Sequence, residues 1–350
     1  MKIAPIVRAL QNSGRLTWRI VHTGQHYDRE MNDVFFDELG IPPPDFRLGA
    51  GGGSHAEQTA KIMTSYEALA VAERPDAVLV VGDVNSTLAC SIVAKKLGIK
   101  VAHVEAGLRS GDRRMPEEIN RLVTDSISDW FFVTEPSGSE HLRREGHTEH
   151  IYEVGHVMAD NLLFQVDRLR RMDTSLLETD SVKRKLQSYG VVTLHRPTNV
   201  DDADSLRRVA QALKEVSQDL PLVFPVHPRT RKSIEANAVD FGLNVELIGP
   251  QAYMPFLHLW KDAVVVLTDS GGLQEETTIM GVPCITIRDN TERPITVELG
   301  SNVLAGTDSG RVIELARQAI FGAGKRGKRP PLWDGHAAER IVDVLARLLN

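Results

Sequence analysis

Short apolar runs rich in β-branched residues recur along this chain, and helical patterns lie between many of them. LTWRIVHT (16–23), DAVLVVGD (76–83), IKVAHVEA (99–106), DWFFVTE (129–135) and IYEVGH (151–156) make a first set. GVVTLHR (190–196), PLVFPVHP (221–228), VELIGP (245–250), AVVVLTDS (263–270) and PCITIRD (283–289) make a second. Nearly continuous apolar runs of this kind suit strands buried on both faces. Segments such as TLACSIVAKKLG and LRRVAQALKEV supply helices between them. The alternation predicts an α/β protein with parallel sheets. A chain of 350 residues is too long for one ordinary core, and the polar, helical segment 157–189 separates the two sets. We expect two facing Rossmann-like domains with a cleft between them, at 1–156 and 157–333. Residues 334–350 should form a C-terminal helix packing back across the domains, with Ile341, Val344, Leu345 and Leu348 on one face.

Chemistry-bearing residues cluster where the strands end. His22 with Gln25 and His26, then Asp83, Glu105, His195, His227, Ser270 and Arg288 each follow an apolar run. In open parallel sheets, ligands bind beyond the carboxyl ends of the strands. The net charge of -6 gives no general attraction for nucleic acid or an anionic membrane, so an anionic ligand needs local cations. No run of about 18 apolar residues and no signal-peptide pattern occurs, which reads as cytoplasmic. Cys90 and Cys284 lie inside apolar runs and read as buried free thiols.

HVEAGLRSGDRRMPEEINRLVTD (103–125) is the most heavily charged stretch, with both signs interleaved. Pro116 suits the first position of a helix. Ile119, Leu122, Val123, Ile127 and Trp130 then recur at helical spacing and are expected to form the buried stripe. Glu117, Arg121 and Asp125 fall one turn apart on the opposite face, as a solvated ladder of ion pairs would. Glu117 in the first turn also suits the helix dipole. A site for proton transfer on an anionic substrate has the same pattern, and spacing alone leaves both open.

In the second half, AVVVLTDSGGLQEETTIMG reads as strand, Ser-Gly-Gly turn and helix. Small residues at a helix N-terminus let backbone N–H groups approach a phosphate. Glu276, about one turn in, is placed to accept from ribose hydroxyls. The chain contains neither GxGxxG nor GxxxxGK[ST], which disfavours NAD enzymes and P-loop ATPases. No structural-zinc spacing is present, and His195 and His227 at separate strand ends suit substrate contacts better than a metal.

GDVNST, HVEAGLRSGD, PEEINR, TLHRP, PVHPRT, TDSGGLQEE, GVPCITIRDNTERP and TGQHYD together span nearly the whole chain. In this combination the sequence resembles the non-hydrolysing UDP-N-acetylglucosamine 2-epimerases. The resemblance implies a GT-B-type fold, a homodimer and an isomerase that uses no cofactor or metal. It implies reversible inversion at C2 of the sugar through elimination of UDP to 2-acetamidoglucal, followed by re-addition. Such chemistry needs carboxylates to move the C2 proton and cations for the departing diphosphate. That would explain both signs of charge in one stretch.

Carried over by motif, Asp83, Glu105 and Glu117 are the catalytic acids, with Arg121 and His195 close to them. Ser270, Gly271 and Gly272 hold the diphosphate, Glu276 the ribose, and Arg293 reaches the same nucleotide site. Lys2 matches the lysine after the family's first glycine-rich loop. Gln25, His26, Arg196 and His227 match residues that bind a second, activating UDP-N-acetylglucosamine. HRREN of the family is HRPTN here, TERPE is TERPI, and an arginine common near Thr64 and Ser65 is absent. These changes leave the elimination chemistry in place and predict weaker activation. A hydrolysing relative, a 2-epimerase of a diacetamido uronic acid nucleotide and a catalytically silent nucleotide-sugar-binding regulator are the alternatives. The retained Glu105, Glu117 and His195 argue against the last.

The family begins with an apolar strand and a GTRPE loop, whereas this sequence opens at MKIAPIVRAL. Loss of about five buried apolar residues at ~2 kcal/mol each removes ~10 kcal/mol, against about 5–15 kcal/mol for a whole domain. The expectation is a truncated, poorly folded and weakly active chain.

Overall fold

The computed structural model describes residues 1–24 and 39–349. It divides into one compact unit of Met1–Asn161 with Pro331–Asn350 and another of Leu162–Pro330. The first boundary lies within the helix Val157–Arg171, a few residues beyond the sequence-based one.

In the first unit, β1 (Val21–His22) pairs in parallel with β2 (Phe46–Arg47). A separate parallel sheet runs in the order β3 (Ala77–Val81), β4 (Lys100–Val104), β5 (Trp130–Val133) and β6 (Ile151–Glu153). All four residues of β5 are buried, as expected of a central strand with both faces covered. One face packs Ala102, Val104, Trp130 and Phe132 against Ile6 of the first helix and Ile341, Val342 and Leu345 of the last. The terminal helix, Ala337–Leu348, therefore shares the core of this unit. Its first turn is capped from a distance. Asp160 accepts from the backbone N–H groups of Ala337 (3.1 Å) and Ala338 (2.7 Å).

The second unit is one parallel sheet in the order β12-β11-β10-β7-β8-β9. These strands are β7 (Gly190–Thr193), β8 (Leu222–Pro225), β9 (Val245–Ile248), β10 (Val265–Thr268), β11 (Cys284–Thr286) and β12 (Asn302–Leu304). Read from β9, this is the doubly wound order 3-2-1-4-5-6, whose switch point lies between β7 and β10. The predicted strands all appear, shortened at their ends. β2 and β12 were not expected, being only two and three residues long.

The helix Pro116–Ile127 overturns the expected orientation. It buries Glu118, Asn120, Arg121, Thr124 and Asp125. Ile119 is 42% exposed, and Leu122, Val123 and Ile127 are only partly covered. Of the expected stripe, Trp130 alone is fully buried, and it belongs to β5. The polar face turns inward because Glu118, Arg121 and Asp125 each find a partner there. The expected solvated ladder is absent: Arg121 pairs with Asp83 and Glu118, and Asp125 with His103 and Arg109.

Candidate active site

The sequence-derived residues fall into two sets, one in each unit. In the first, β3 leads directly into Gly82 and β4 into Glu105. Gly82 has φ +75°, which favours glycine, and a Cβ there would press on Lys2 Nζ at 3.1 Å. Glu105 adopts φ 71° without being glycine. A left-handed glutamate costs backbone energy, and such strain concentrates at functional sites. Its carboxylate is buried, and Lys2 Nζ donates to Oε2 at 2.7 Å.

Arg121 is 5% exposed and bridges two acids. Its Nε and Nη2 donate to Asp83 Oδ2 at 3.1 and 2.7 Å, and its Nη1 to Glu118 Oε2 at 2.5 Å. Asn120 Nδ2 donates to the Asp83 carbonyl (2.8 Å), which steadies the same turn. The two glutamates of PEE thus differ in their partners. Glu118 accepts from Ser110 N, Ser110 Oγ and Gly111 N at 2.9–3.0 Å. Burial works to raise its pKa, but those donors and Arg121 hold it below the usual carboxylate range. Glu117 makes no side-chain hydrogen bond or ion pair among the described residues, and it is half-buried. The arrangement offers two acids each held by a cation, Asp83 with Arg121 and Glu105 with Lys2, and a third acid, Glu117, on the helix that carries Arg121.

The second set lies at the β7/β10 switch point. His195 Nδ1 is 2.9 Å from Asp269 Oδ1, and the His195 side chain is 52% exposed. Asp269, fully buried, also accepts from the backbone N–H groups of His195 (3.1 Å) and Arg196 (3.0 Å) and from Asn199 Nδ2 (3.1 Å). Burial opposes its charge, yet the His195 bond and these donors hold Asp269 below the usual carboxylate range. A carboxylate on Nδ1 fixes the tautomer and leaves Nε2 for proton exchange. Asp269 was missed by sequence reasoning, although it stands inside TDSGG immediately before Ser270.

Ser270 occupies the N-cap position of the helix Gly271–Met280 without a side-chain capping bond. A Cβ on Gly272 would meet nothing within 4 Å, and on Gly271 only Glu292 Oε2 at 3.9 Å. The N-terminus is therefore open enough for an anion to approach. Glu276, 5% exposed, accepts from Tyr253 Oη at 2.8 Å, and burial pushes its pKa up to about 7. Arg293 Nε pairs with Glu275. Glu292 accepts from Arg288 (3.0 Å) and Arg196 (3.2 Å). Burial disfavours its charge, but the two guanidinium groups draw its pKa down to about 2.

Of the residues matched to an activator site, Gln25 and His26 lie outside the described residues. Arg196 pairs with Glu292, and His227 Nδ1 accepts from Arg229 N at 3.3 Å, capping the helix Pro228–Ala236.

An acid–cation cluster at the strand ends of one unit and an open helix N-terminus at the Rossmann switch point of the other define a class. It is that of two-unit α/β proteins built to hold a nucleotide. The sequence profile of the UDP-N-acetylglucosamine 2-epimerase family matches residues 8–346. The chain belongs to that family. It is 42% identical over 352 residues to the UDP-N-acetylglucosamine 2-epimerase of Methanocaldococcus jannaschii, covering 99% of this chain and 95% of the relative. A crystal structure of the M. jannaschii enzyme in complex with UDP-GlcNAc and UDP matches with a TM-score of 0.86 at 40% identity, covering 99% and 96% of the two chains. The UDP-2,3-diacetamido-2,3-dideoxy-D-glucuronate 2-epimerase of Pseudomonas aeruginosa is 39% identical, covering 99% of this chain and 96% of that one.

Proposed function

We propose that this chain interconverts UDP-N-acetylglucosamine and UDP-N-acetylmannosamine in the cytoplasm, without hydrolysing the product. One carboxylate takes the C2 proton as the C1–O bond to UDP breaks, giving 2-acetamidoglucal. UDP then re-adds at C1 while a proton returns to C2 from the opposite face. The observation that carries the reading is the acid–cation cluster. Asp83 and Glu105 at adjacent strand ends each face a cation, with Glu117 uncommitted on the next helix. Held carboxylates move the proton, and Lys2 and Arg121 balance their charge. The open turn at Ser270–Gly272 takes the diphosphate, with His195 close to the leaving oxygen and Glu276 on the ribose.

The P. aeruginosa relative supports a second reading, with a diacetamido uronic acid as the sugar. Separate incubations with UDP-N-acetylglucosamine and the diacetamido-glucuronate nucleotide decide between them. We expect the first to give a UDP-linked mannosamine. Turnover of only the second would overturn the primary reading, and free N-acetylmannosamine as the main product would favour hydrolysis.

Glu276 makes nucleotide binding sensitive to pH. Its folded pKa of about 7 lies above the ordinary 4.5. As pH rises through that window the native state holds the extra proton at a growing cost, so stability falls. A ligand that binds the carboxylate form is favoured in the opposite sense. Affinity for UDP-N-acetylglucosamine, measured by calorimetry, should rise toward pH 7 by up to about tenfold per pH unit and then level off. Glu276→Gln should weaken binding and flatten that slope. An unchanged slope would remove Glu276 from the nucleotide site.

The partly exposed apolar face of Ile119, Leu122, Val123 and Ile127 supports a homodimer in which a second copy covers it. A monomer mass in sedimentation at micromolar concentration would contradict this.

A further inference from the structure

Behind Asp83 and Glu105 lies an ion pair that the proposed reaction does not itself use. His103, in β4 two residues before Glu105, and Asp125, on the helix Pro116–Ile127, are both 0% exposed. His103 Nδ1 is 2.6 Å from Asp125 Oδ1, and His103 Nε2 is 2.9 Å from the Gly82 carbonyl oxygen. A carbonyl only accepts, so Nε2 carries a proton. The carboxylate facing Nδ1 accepts the other. Acceptors facing both ring nitrogens favour the imidazolium ion. Burial disfavours that charge, but Asp125, the two hydrogen bonds and the charge of Glu105 raise its pKa above the ordinary histidine value.

Asp125 has partners of its own, Gly107 N at 3.0 Å and Arg109 Nη1 at 2.7 Å. The ion pair therefore grips both candidate catalytic turns. It holds the Gly82 carbonyl, one residue before Asp83, and the Gly107 N–H, two residues after the left-handed Glu105. Gly107 has φ +78°, and a Cβ there would meet the Gly138 carbonyl at 2.2 Å, so the turn packs against Gly138 with no space for a side chain. A pair serving stability alone would be replaceable by apolar groups of similar volume. This one binds backbone atoms on either side of the site.

From this geometry we propose that His103 and Asp125 are positioning residues for the C2 proton transfer. His103, held as a cation, fixes the turn carrying Asp83 and favours the ionised form of Glu105. The inference rests on the epimerase reading of the same site. Among the described residues, the charged groups facing the pair include Glu105 just beyond its own strand, Asp125 and Arg109 around the carboxylate, and Lys2 on Oε2 of Glu105.

Asp125→Asn separates charge from geometry. Its amide N–H can donate to a neutral His103 Nδ1 while Nε2–H still donates to Gly82. Its oxygen can still accept from Gly107 and Arg109. Only the two charges go. We expect kcat to fall about tenfold and the acid limb of the pH–rate profile to move up by about one pH unit. The dissociation constant for UDP, measured by calorimetry, should stay unchanged. Wild-type kcat and pH profile in this variant would overturn the proposal. A direct measurement needs no substitution. In the intact protein labelled with ¹⁵N-histidine, both His103 ring nitrogens should remain protonated at pH 8, and a neutral ring would overturn the proposal whatever the variant does. Absence of C2 exchange in the unaltered protein would overturn the reaction assigned to the site, and the positioning role with it, leaving only the ion pair.

Discussion

Glu105→Gln lowers turnover by on the order of 10²–10⁴-fold while the dissociation constant for UDP changes by less than about twofold. The amide keeps the shape of the buried side chain and can still accept from Lys2 Nζ, which is 2.7 Å from Oε2 in the native chain. It tolerates the left-handed backbone at φ 71° no better and no worse than glutamate does. The carboxylate's charge goes, and with it the capacity to take and return a proton, so the loss appears in kcat. Glu117→Gln is expected to behave similarly, because no other residue among those described holds that side chain. Its neighbour differs. Glu118→Gln weakens the grip on Ser110, Gly111 and Arg121, so it lowers the melting temperature as well as activity. Steady-state kinetics with thermal melts on the three variants separate the roles. Near-normal turnover for Glu105→Gln would exclude it as a proton-transfer group.

Arg121→Met has the largest expected effect on stability. It leaves Glu118, 2% exposed, and Asp83 without their shared cation. Removing one partner of a buried ion pair costs about 3–5 kcal/mol, which lowers Tm by roughly 10 °C for a unit of this size. Turnover should be lost with it. Arg121→Lys should recover little, since one ammonium cannot span both carboxylates as the guanidinium fork does. Adding Glu118→Gln to Arg121→Met removes one stranded charge and should recover part of the stability but none of the activity. A double variant no more stable than Arg121→Met would show that the buried charge is not what destabilises it.

The strands were legible because buried parallel strands leave continuous apolar runs. The candidate residues at their ends were legible as strand-end positions because β-strand periodicity stops there. Asp83, Glu105, His195 and Ser270 all emerge at such positions. The helix Pro116–Ile127 was misread for a physical reason. Amphipathic patterning assumes that the polar face meets water, but here Glu118, Arg121 and Asp125 meet fixed partners and turn inward. The division of labour between Glu117 and Glu118 was invisible for a related reason. It depends on the distant Ser110–Gly111 turn folding onto one glutamate and not the other. His103 carries no signal in sequence, since a histidine inside an apolar strand looks like any buried residue until its two acceptors are placed. Asp269 could have been suspected from TDSGG, yet only the pairing of β7 with β10 puts it against His195.

Elimination and re-addition must exchange the C2 hydrogen with solvent. The most direct measurement is incubation of the full chain with UDP-N-acetylglucosamine in heavy water, with the nucleotide sugars read by proton NMR. The expected result is UDP-N-acetylmannosamine with deuterium at C2, and the same label accumulating in recovered UDP-N-acetylglucosamine at equilibrium. A product that keeps its original C2 hydrogen would contradict it.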